Sequence, residues 1–96
     1  MLNAKQKRFL RSVGSTTRAI FQVGKEGMSV NLIATMDDSL RAHELVKISV
    51  LKNCPVPVQE IALDLASGTH SEVVQIIGHT ILLYRVSEKR ILELPR

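Results

Sequence analysis

The spacing of apolar residues along the chain predicts three amphipathic helices separated by short strands. The first helix begins at Asn3, which is a favourable cap, and Gln6 three residues later completes a capping box. This helix is expected to end at about Val13, because Gly14 follows as a stop signal. Its apolar side consists of Phe9, Leu10 and Val13.

A strand and a second helix follow. Residues 17–23 are rich in strand-forming side chains and end at Gly24. Ser29 is a plausible cap for the next helix, in which apolar residues recur at helical spacing, namely Ile33, Met36 and Leu40. On the outer side of this helix, Asp37 and Arg41 are spaced to form an i,i+4 ion pair.

The second half of the chain contains three further strands and one helix. Residues 45–51 are apolar except for Lys47 and Ser49, which indicates an interior strand. A proline-rich break at 54–57 precedes a helix over about Val58 to Ser67, with Gly68 as its expected stop. The inward residues of that helix are Ile61, Ala62 and Leu65.

Two strands then form a predicted hairpin. They cover Glu72 to Ile77 and Thr80 to Val86, and Gly78-His79 between them is typical of a tight turn. The apolar tail over residues 91–94 is expected to pair or pack at an edge.

These elements define an α/β (α+β) fold with the order α-β-α-β-α-β-β in one compact domain over residues 1–96. The first two strands are expected to lie parallel through a right-handed crossover, and the hairpin adds antiparallel strands. The sequence therefore predicts a mixed four-stranded sheet with helices packed on it.

The positive charge is concentrated in the first quarter of the chain. The net charge is +4, but residues 1–25 contain six basic side chains and no acidic one. The remaining residues contain seven basic and nine acidic side chains. Such asymmetry favours a polyanionic partner that approaches one side of the molecule, although a solvated basic helix that binds nothing has the same pattern.

The segment Gly24-Lys25-Glu26-Gly27 lies between a predicted strand and a predicted helix. Two glycines separated by two residues permit a sharp turn, and backbone N–H groups beside a helix terminus can receive anionic oxygens. This arrangement resembles the GXXG clamp with which KH modules hold nucleotide backbones. The loop lacks the P-loop and dinucleotide-binding glycine patterns, so a nucleotide cofactor is not expected.

Four segments resemble the YhbY family of CRM-domain proteins (chloroplast RNA splicing and ribosome maturation), and together they span most of the chain. They are KQKRFLR at 5–11, FQVGKEG at 21–27, HELVKI at 43–48 and VQIIGHTILLYR at 74–85. The resemblance implies a fold similar to the C-terminal domain of a bacterial translation initiation factor. It also implies an RNA-binding protein that associates with precursors of the large ribosomal subunit.

The resemblance places RNA contacts on the GxxG loop and on nearby basic residues. The candidate RNA-binding residues are Lys5, Lys7, Arg8, Arg11, Gly24, Lys25, Glu26 and Gly27. Glu26 departs from the common family loop Gly-Lys-Gly-Gly, and its carboxylate would repel phosphate unless it points outward or pairs with a cation.

Other functional classes have less support. Phe9, Phe21 and Tyr84 are too few for a stacking sheet and are expected to pack internally. The isolated histidines and the single Cys54 form no metal-ligand pattern, and no catalytic constellation is found. The pair Glu60 and Asp64 is expected to lie on a solvated helix face.

The chain is thus expected to be a non-enzymatic, cytoplasmic RNA-binding protein without cofactor, metal or membrane partner, with a monomer favoured. One alternative is a ribosome-associated protein–protein module whose basic helix is incidental. Another is a small hydrolase or transferase for a phosphorylated substrate, which would need a base or metal ligands near the loop.

Overall fold

The computed structural model describes residues 2–27, 30–87, 90, 92 and 94–95, and within them the helices and strands follow the predicted order. The helices are α1 (Ala4–Gly14), α2 (Val30–His43) and α3 (Val58–Thr69). The strands are β1 (Ala19–Val23), β2 (Leu45–Val50), β3 (Glu72–Ile77) and β4 (Thr80–Tyr84). The predicted cap of the second helix, Ser29, lies outside the described residues.

The strands form one mixed sheet in the order β1-β2-β4-β3, as predicted. β1 and β2 are parallel and are connected through α2, whereas β4 is antiparallel to both of its neighbours, β2 and β3. The apolar strand β2 therefore lies inside the sheet. Gly78 has a left-handed φ of 56°, which permits the tight turn between β3 and β4.

Both faces of the sheet are covered by helices. The buried residues on the face of α2 and α3 are Val23, Met36, Leu40, Val46, Ile48, Val50, Val58, Ile61, Ala62, Leu65, Ile81 and Leu83. Those on the face of α1 are Leu10, Leu45, Val74, Leu82 and Tyr84. Leu45 and Val46 are adjacent buried residues at the start of β2, one for each face of the sheet. From Val46 to Val50 the strand alternates, because Lys47 and Ser49 are half-buried on the face opposite to α2 and α3.

The capping box of α1 is confirmed. The Asn3 side chain accepts a hydrogen bond from the Gln6 amide at 2.8 Å, and the Gln6 side chain accepts one from the Asn3 amide at 3.0 Å. Gly14, expected to stop the helix, is its last residue instead. A Cβ there would lie 2.6 Å from Leu82 Cδ2, so the glycine permits α1 to approach the sheet closely.

The expected stop at Gly68 was also wrong. α3 continues through Gly68 to Thr69, and His70 ends it with a left-handed φ of 54°. A Cβ at Gly68 would lie 3.0 Å from Ile33 Cδ1. The glycine therefore permits close packing of α2 against α3 rather than ending the helix.

The C-terminal tail is held by Glu44, which is fully buried and has a left-handed φ of 66°. Its carboxylate accepts hydrogen bonds from the Ser87 amide and hydroxyl at 2.6 and 2.8 Å and from the Leu92 amide at 2.6 Å. Leu92 and Leu94 pack beside the α1 core, as the predicted edge packing requires. Residues 91 and 93 of the predicted tail lie outside the described residues.

Arg85 connects the end of β4 to both helices of the opposite face. Its guanidinium donates to the Asp37 carboxylate at 2.5 Å, to the Thr69 carbonyl at 2.6 Å and to the Asp37 carbonyl at 3.0 Å. The predicted pair between Asp37 and Arg41 is also present at 2.9 Å. The strand ends at Tyr84 rather than at the predicted Val86, and Arg85 turns into this network.

The hydrogen bond from Arg85, reinforced by the charges around it, holds the pKa of Asp37 below its ordinary value of 3.8. A lowered carboxyl pKa contributes stability above the unfolded value, and this contribution is lost as the pH falls through the folded value. We therefore expect Asp37→Asn to lower the urea midpoint at pH 7. The difference from the unmodified protein should begin to shrink below pH 3.8 and should disappear once the pH is below the lowered pKa of Asp37 in the folded protein.

Asp38→Asn is the matched control, because the Asp38 carboxylate is 77% exposed and its one ion pair, with Arg41, measures 3.6 Å. It should change the midpoint little at any pH, as exposed pairs usually do. A constant deficit of the Asp37 variant down to pH 2 would contradict a role for the ionised carboxylate.

Candidate nucleic-acid interface

The cations of α1 lie outside the stripe of the helix that packs on the sheet. Lys5, Arg8 and Arg11 are exposed and Lys7 is half-buried, while Leu10 on the opposite side is fully buried. Phe9 and Val13 pack at the margin of the same core. The amphipathic pattern thus presents the predicted positive charge to solvent.

The GxxG loop is a tight turn at the end of β1. The Gly27 amide donates to the Gly24 carbonyl at 3.0 Å, and Gly27 has a left-handed φ of 64° that favours glycine. Lys25 and Glu26 are exposed at the tip, whereas both glycines are half-buried. The Gly27 N–H is already bonded, so the amides available for an anion are those of Lys25 and Glu26, which donate to no described residue.

The connection between β2 and α3 lies next to the GxxG loop. A Cβ at Gly24 would lie 3.5 Å from atoms of Leu51 and Asn53. Lys52, between these two residues, is exposed and adds a cation beside the loop. Lys52 was not among the predicted residues, because only the folded chain brings residues 51–53 next to Gly24.

The helix and the loop do not lie side by side. α1 packs on one face of the sheet, while the loop leads into α2 on the other face. A cross-strand row of paired residues runs between them. Gln22 on β1 pairs with Ser49 on β2, and Ser49 pairs with Thr80 on β4. Two strand spacings, about 10 Å in total, separate Gln22 near the loop from Thr80 near the helix.

A groove of about 540 Å³ opens between α1 and the sheet. Its lining includes three cations and no acidic residue, and the full lining is Arg8, Arg11, Ser12, Gly14, Ser15, Lys47, Gln75, Ile77, Thr80 and Leu82. Because Thr80 belongs both to this lining and to the cross-strand row, the groove extends the basic side of α1 toward the end of the sheet that bears the loop. The structure therefore links the two predicted elements through an uncovered part of the sheet.

Lys47 fixes the helix over this groove. Its ammonium donates to the Gly14 carbonyl at 3.0 Å and to the Thr17 carbonyl at 3.3 Å, which connects the C-terminal end of α1 and the following turn to β2. From the sequence, Lys47 was predicted to lie in an apolar strand and had no predicted role. A lysine in an interior strand was the signal, since a buried ammonium requires partners.

The remaining candidates form no second site among the described residues. His43, His70 and His79 are exposed, and no cluster of metal-ligating side chains is found in the described part of the chain. Glu60 and Asp64 are exposed on α3, as expected. Cys54 is a half-buried free thiol that packs against the core.

The predicted internal packing of the three aromatic residues is confirmed. Phe9 and Phe21 are half-buried against the two cores and Tyr84 is buried. Burial and the nearby Glu44 carboxylate raise the pKa of Tyr84 above its ordinary value of 10.0. Over the ranges that the structure describes, no helix has both the length and the apolar character to cross a bilayer.

The chain matches a known protein family over nearly its whole length. Residues 2–85 match the CRS1 / YhbY (CRM) domain. The Bacillus subtilis protein YqeI, named as a probable RNA-binding protein, is 48% identical over 96 residues, which cover 99% of this chain and 100% of the relative. An RNA-binding protein of Haemophilus influenzae is 33% identical over 95 residues, covering 99% and 96% of the two chains.

The fold has a solved counterpart. A Staphylococcus aureus protein, for which RNA binding has been proposed, has a solution structure that superposes with a TM-score of 0.81 at 46% identity. The superposition covers 99% of this chain and 100% of the other. The α+β architecture with its mixed four-stranded sheet is therefore that of a known structure.

Proposed function

Since this chain belongs to the CRS1 / YhbY (CRM) domain family, we propose that it is an RNA-binding protein rather than an enzyme. The observation that carries the proposal is the acid-free basic surface formed by α1 and its groove, where Arg8, Arg11 and Lys47 meet an uncovered part of the sheet. A groove with clustered cations attracts phosphate oxygens strongly. The names of the bacterial relatives add support for RNA as the partner.

The proposed contacts are mainly to phosphates. Arg8 and Arg11 carry planar guanidinium groups that can hold phosphate oxygens with two hydrogen bonds each. Lys5 and Lys7 extend the cationic track along the helix, and Lys25 with the amides at the loop tip supplies a second contact about two strands away. Glu26 beside Lys25 opposes phosphate binding at the tip.

The proposed partner is folded RNA, namely precursors of the large-subunit ribosomal RNA in the cytoplasm. All three aromatic residues are packed against the cores, so the chain offers no aromatic platform on which bases could stack. Contacts to phosphates fix position on an RNA but read little sequence, so selectivity must come from the shape of the RNA. The ribosomal assignment is supported by the resemblance of the sequence to the YhbY family of CRM-domain proteins, which implies association with precursors of the large ribosomal subunit.

Replacing both arginines, Arg8→Gln with Arg11→Gln, is expected to weaken binding to structured RNA. Each lost phosphate contact lowers the slope of log affinity against log salt by about 1, so the double variant should lose about 2 from this slope. Fluorescence anisotropy with a labelled RNA hairpin at several salt concentrations measures the effect.

Arg41→Gln is the control, because Arg41 is an exposed arginine at the end of α2 on the opposite face. It should leave the salt slope unchanged. Equal losses from Arg41 and from the α1 arginines would indicate a response to net charge alone and would contradict a binding site on α1.

Glu26→Gln is expected to strengthen RNA binding about two- to fivefold, which corresponds to the removal of a surface repulsion of ~0.4–1 kcal/mol. The same anisotropy titration measures it, with Glu60→Gln on the solvated side of α3 as the matched control. An unchanged affinity would place the loop outside the RNA contact and leave α1 as the binding element.

Ultraviolet crosslinking in cells, followed by sequencing of the attached RNA, tests the ribosomal assignment. We expect enrichment of precursor sequences of the large-subunit ribosomal RNA, and the Arg8 and Arg11 double variant should reduce their recovery. Recovery of only messenger or transfer RNA would overturn the ribosomal assignment while leaving RNA binding in place.

A further inference from the structure

We propose that the groove between α1 and the sheet holds a single unpaired nucleotide of the bound RNA, turned out of its helix. This inference rests on the proposed RNA-binding function and specifies what the surface recognises. The groove volume of about 540 Å³ lies within the range of ~300–1,000 Å³ in which proteins hold small molecules. It is thus suited to one nucleotide rather than to a paired helix.

The rim of the groove can hold the phosphate. Arg8 and Arg11 are exposed and lie on the same side of α1, one turn apart, where both line the opening. With Lys47 they give the lining three positive charges and no negative one. This charge is complementary to a phosphodiester and unfavourable for a cationic ligand. Phosphates on both sides of an extruded nucleotide would lie near these guanidinium groups.

The interior of the groove can hold the base. Apolar surface is supplied by Leu82 and by Ile77, which is 62% exposed, and an arginine guanidinium can stack on the face of a base. Gly14 contributes to the wall where α1 lies closest to the sheet. Because Gly14 has no side chain, the helix and the sheet can lie close together and form the two walls of the groove.

The polar groups in the groove match the edge of a base. The Gln75 amide offers both a donor and an acceptor, and the hydroxyls of Thr80 and Ser12 can act as either. None of these three side chains is hydrogen-bonded to another described residue. They are therefore free to bond the exposed edge of an unpaired base, which RNA offers in bulges and loops but not within its paired helices.

Two RNA hairpins that differ by one bulged adenosine provide the test. The unmodified protein should bind the bulged hairpin about tenfold more tightly than the fully paired one, as expected for one well-recognised base. Ser12→Phe, which fills the groove without changing charge, and Gln75→Ala, which removes the amide, should abolish this preference. Both variants should retain the affinity for the paired hairpin.

Each variant has a matched control on the opposite face. Ser67→Phe and Gln59→Ala change the same residue types at exposed positions of α3 and should keep the tenfold preference. Amide spectra of all four proteins verify the fold, and Gln75→Ala on an edge strand tests the inference even if the larger Ser12→Phe change disturbs α1.

The outcomes separate this inference from the proposed function. Equal affinity for the two hairpins, or an unchanged preference in both groove variants, would overturn the nucleotide site and leave RNA binding intact. Binding to neither hairpin would overturn the proposed function and this inference with it. Tight binding of adenosine monophosphate without any preference for the bulged hairpin would overturn the assignment to an RNA strand.

Discussion

The interior position of β2 is the constraint on which the rest of the structure depends. A strand that is paired on both edges and contributes buried residues to both faces must be covered from two sides. α2 and α3 cover one face, and α1 covers the other by placing Leu10 against Leu82 and Tyr84. The outer side of α1 is then free to be polar, and it bears the basic residues.

Coverage by α1 is incomplete, and this incompleteness creates the candidate interface. One short helix buries only part of its sheet face, so the cross-strand row of Gln22, Ser49 and Thr80 remains partly accessible. The Lys47 ammonium fixes the helix at one side of the opening through two backbone carbonyls. A residue that stabilises the fold thereby also sets the charge of the groove.

The sequence was sufficient to predict the elements, because capping, periodicity and turn residues are local signals. The Asn3 capping box, the strand over 72–77 and the turn at Gly78 all follow from neighbours within a few residues. The two errors at the helix ends share one cause. Gly14 and Gly68 were interpreted as helix stops, but each is needed where a helix contacts a distant partner, Leu82 or Ile33, which local patterns do not reveal.

The arrangement of the candidate surface could be predicted only in part, for the same reason. Charge counting identified the α1 cations, and the glycine pattern identified the loop, yet their separation across the sheet follows from strand order. Lys52 and Gln75 join the surface through contacts between segments far apart in sequence. Predicting them would have required the sheet register, which depends on packing rather than on local composition.

Four acidic residues lie away from the groove, whereas Glu26 lies in the GxxG loop and Glu72 accepts hydrogen bonds from the Leu2 amide before α1. Asp37 and Glu44 are engaged in internal hydrogen bonds, and Glu60 and Asp64 lie on the outer side of α3. The groove between α1 and the sheet thus has a lining with three cations and no carboxylate. A surface of this charge favours the approach of anionic groups to the side of the molecule that bears α1.

The anchored tail has a consequence for how this fold can be built into larger chains. The Gln6 side chain donates to the Pro95 carbonyl at 3.0 Å, so residues near the two ends of the described chain are neighbours. A segment joined after Pro95 would therefore start beside α1. The position of such a segment is set by the contact between the tail and the helix that bears the cations.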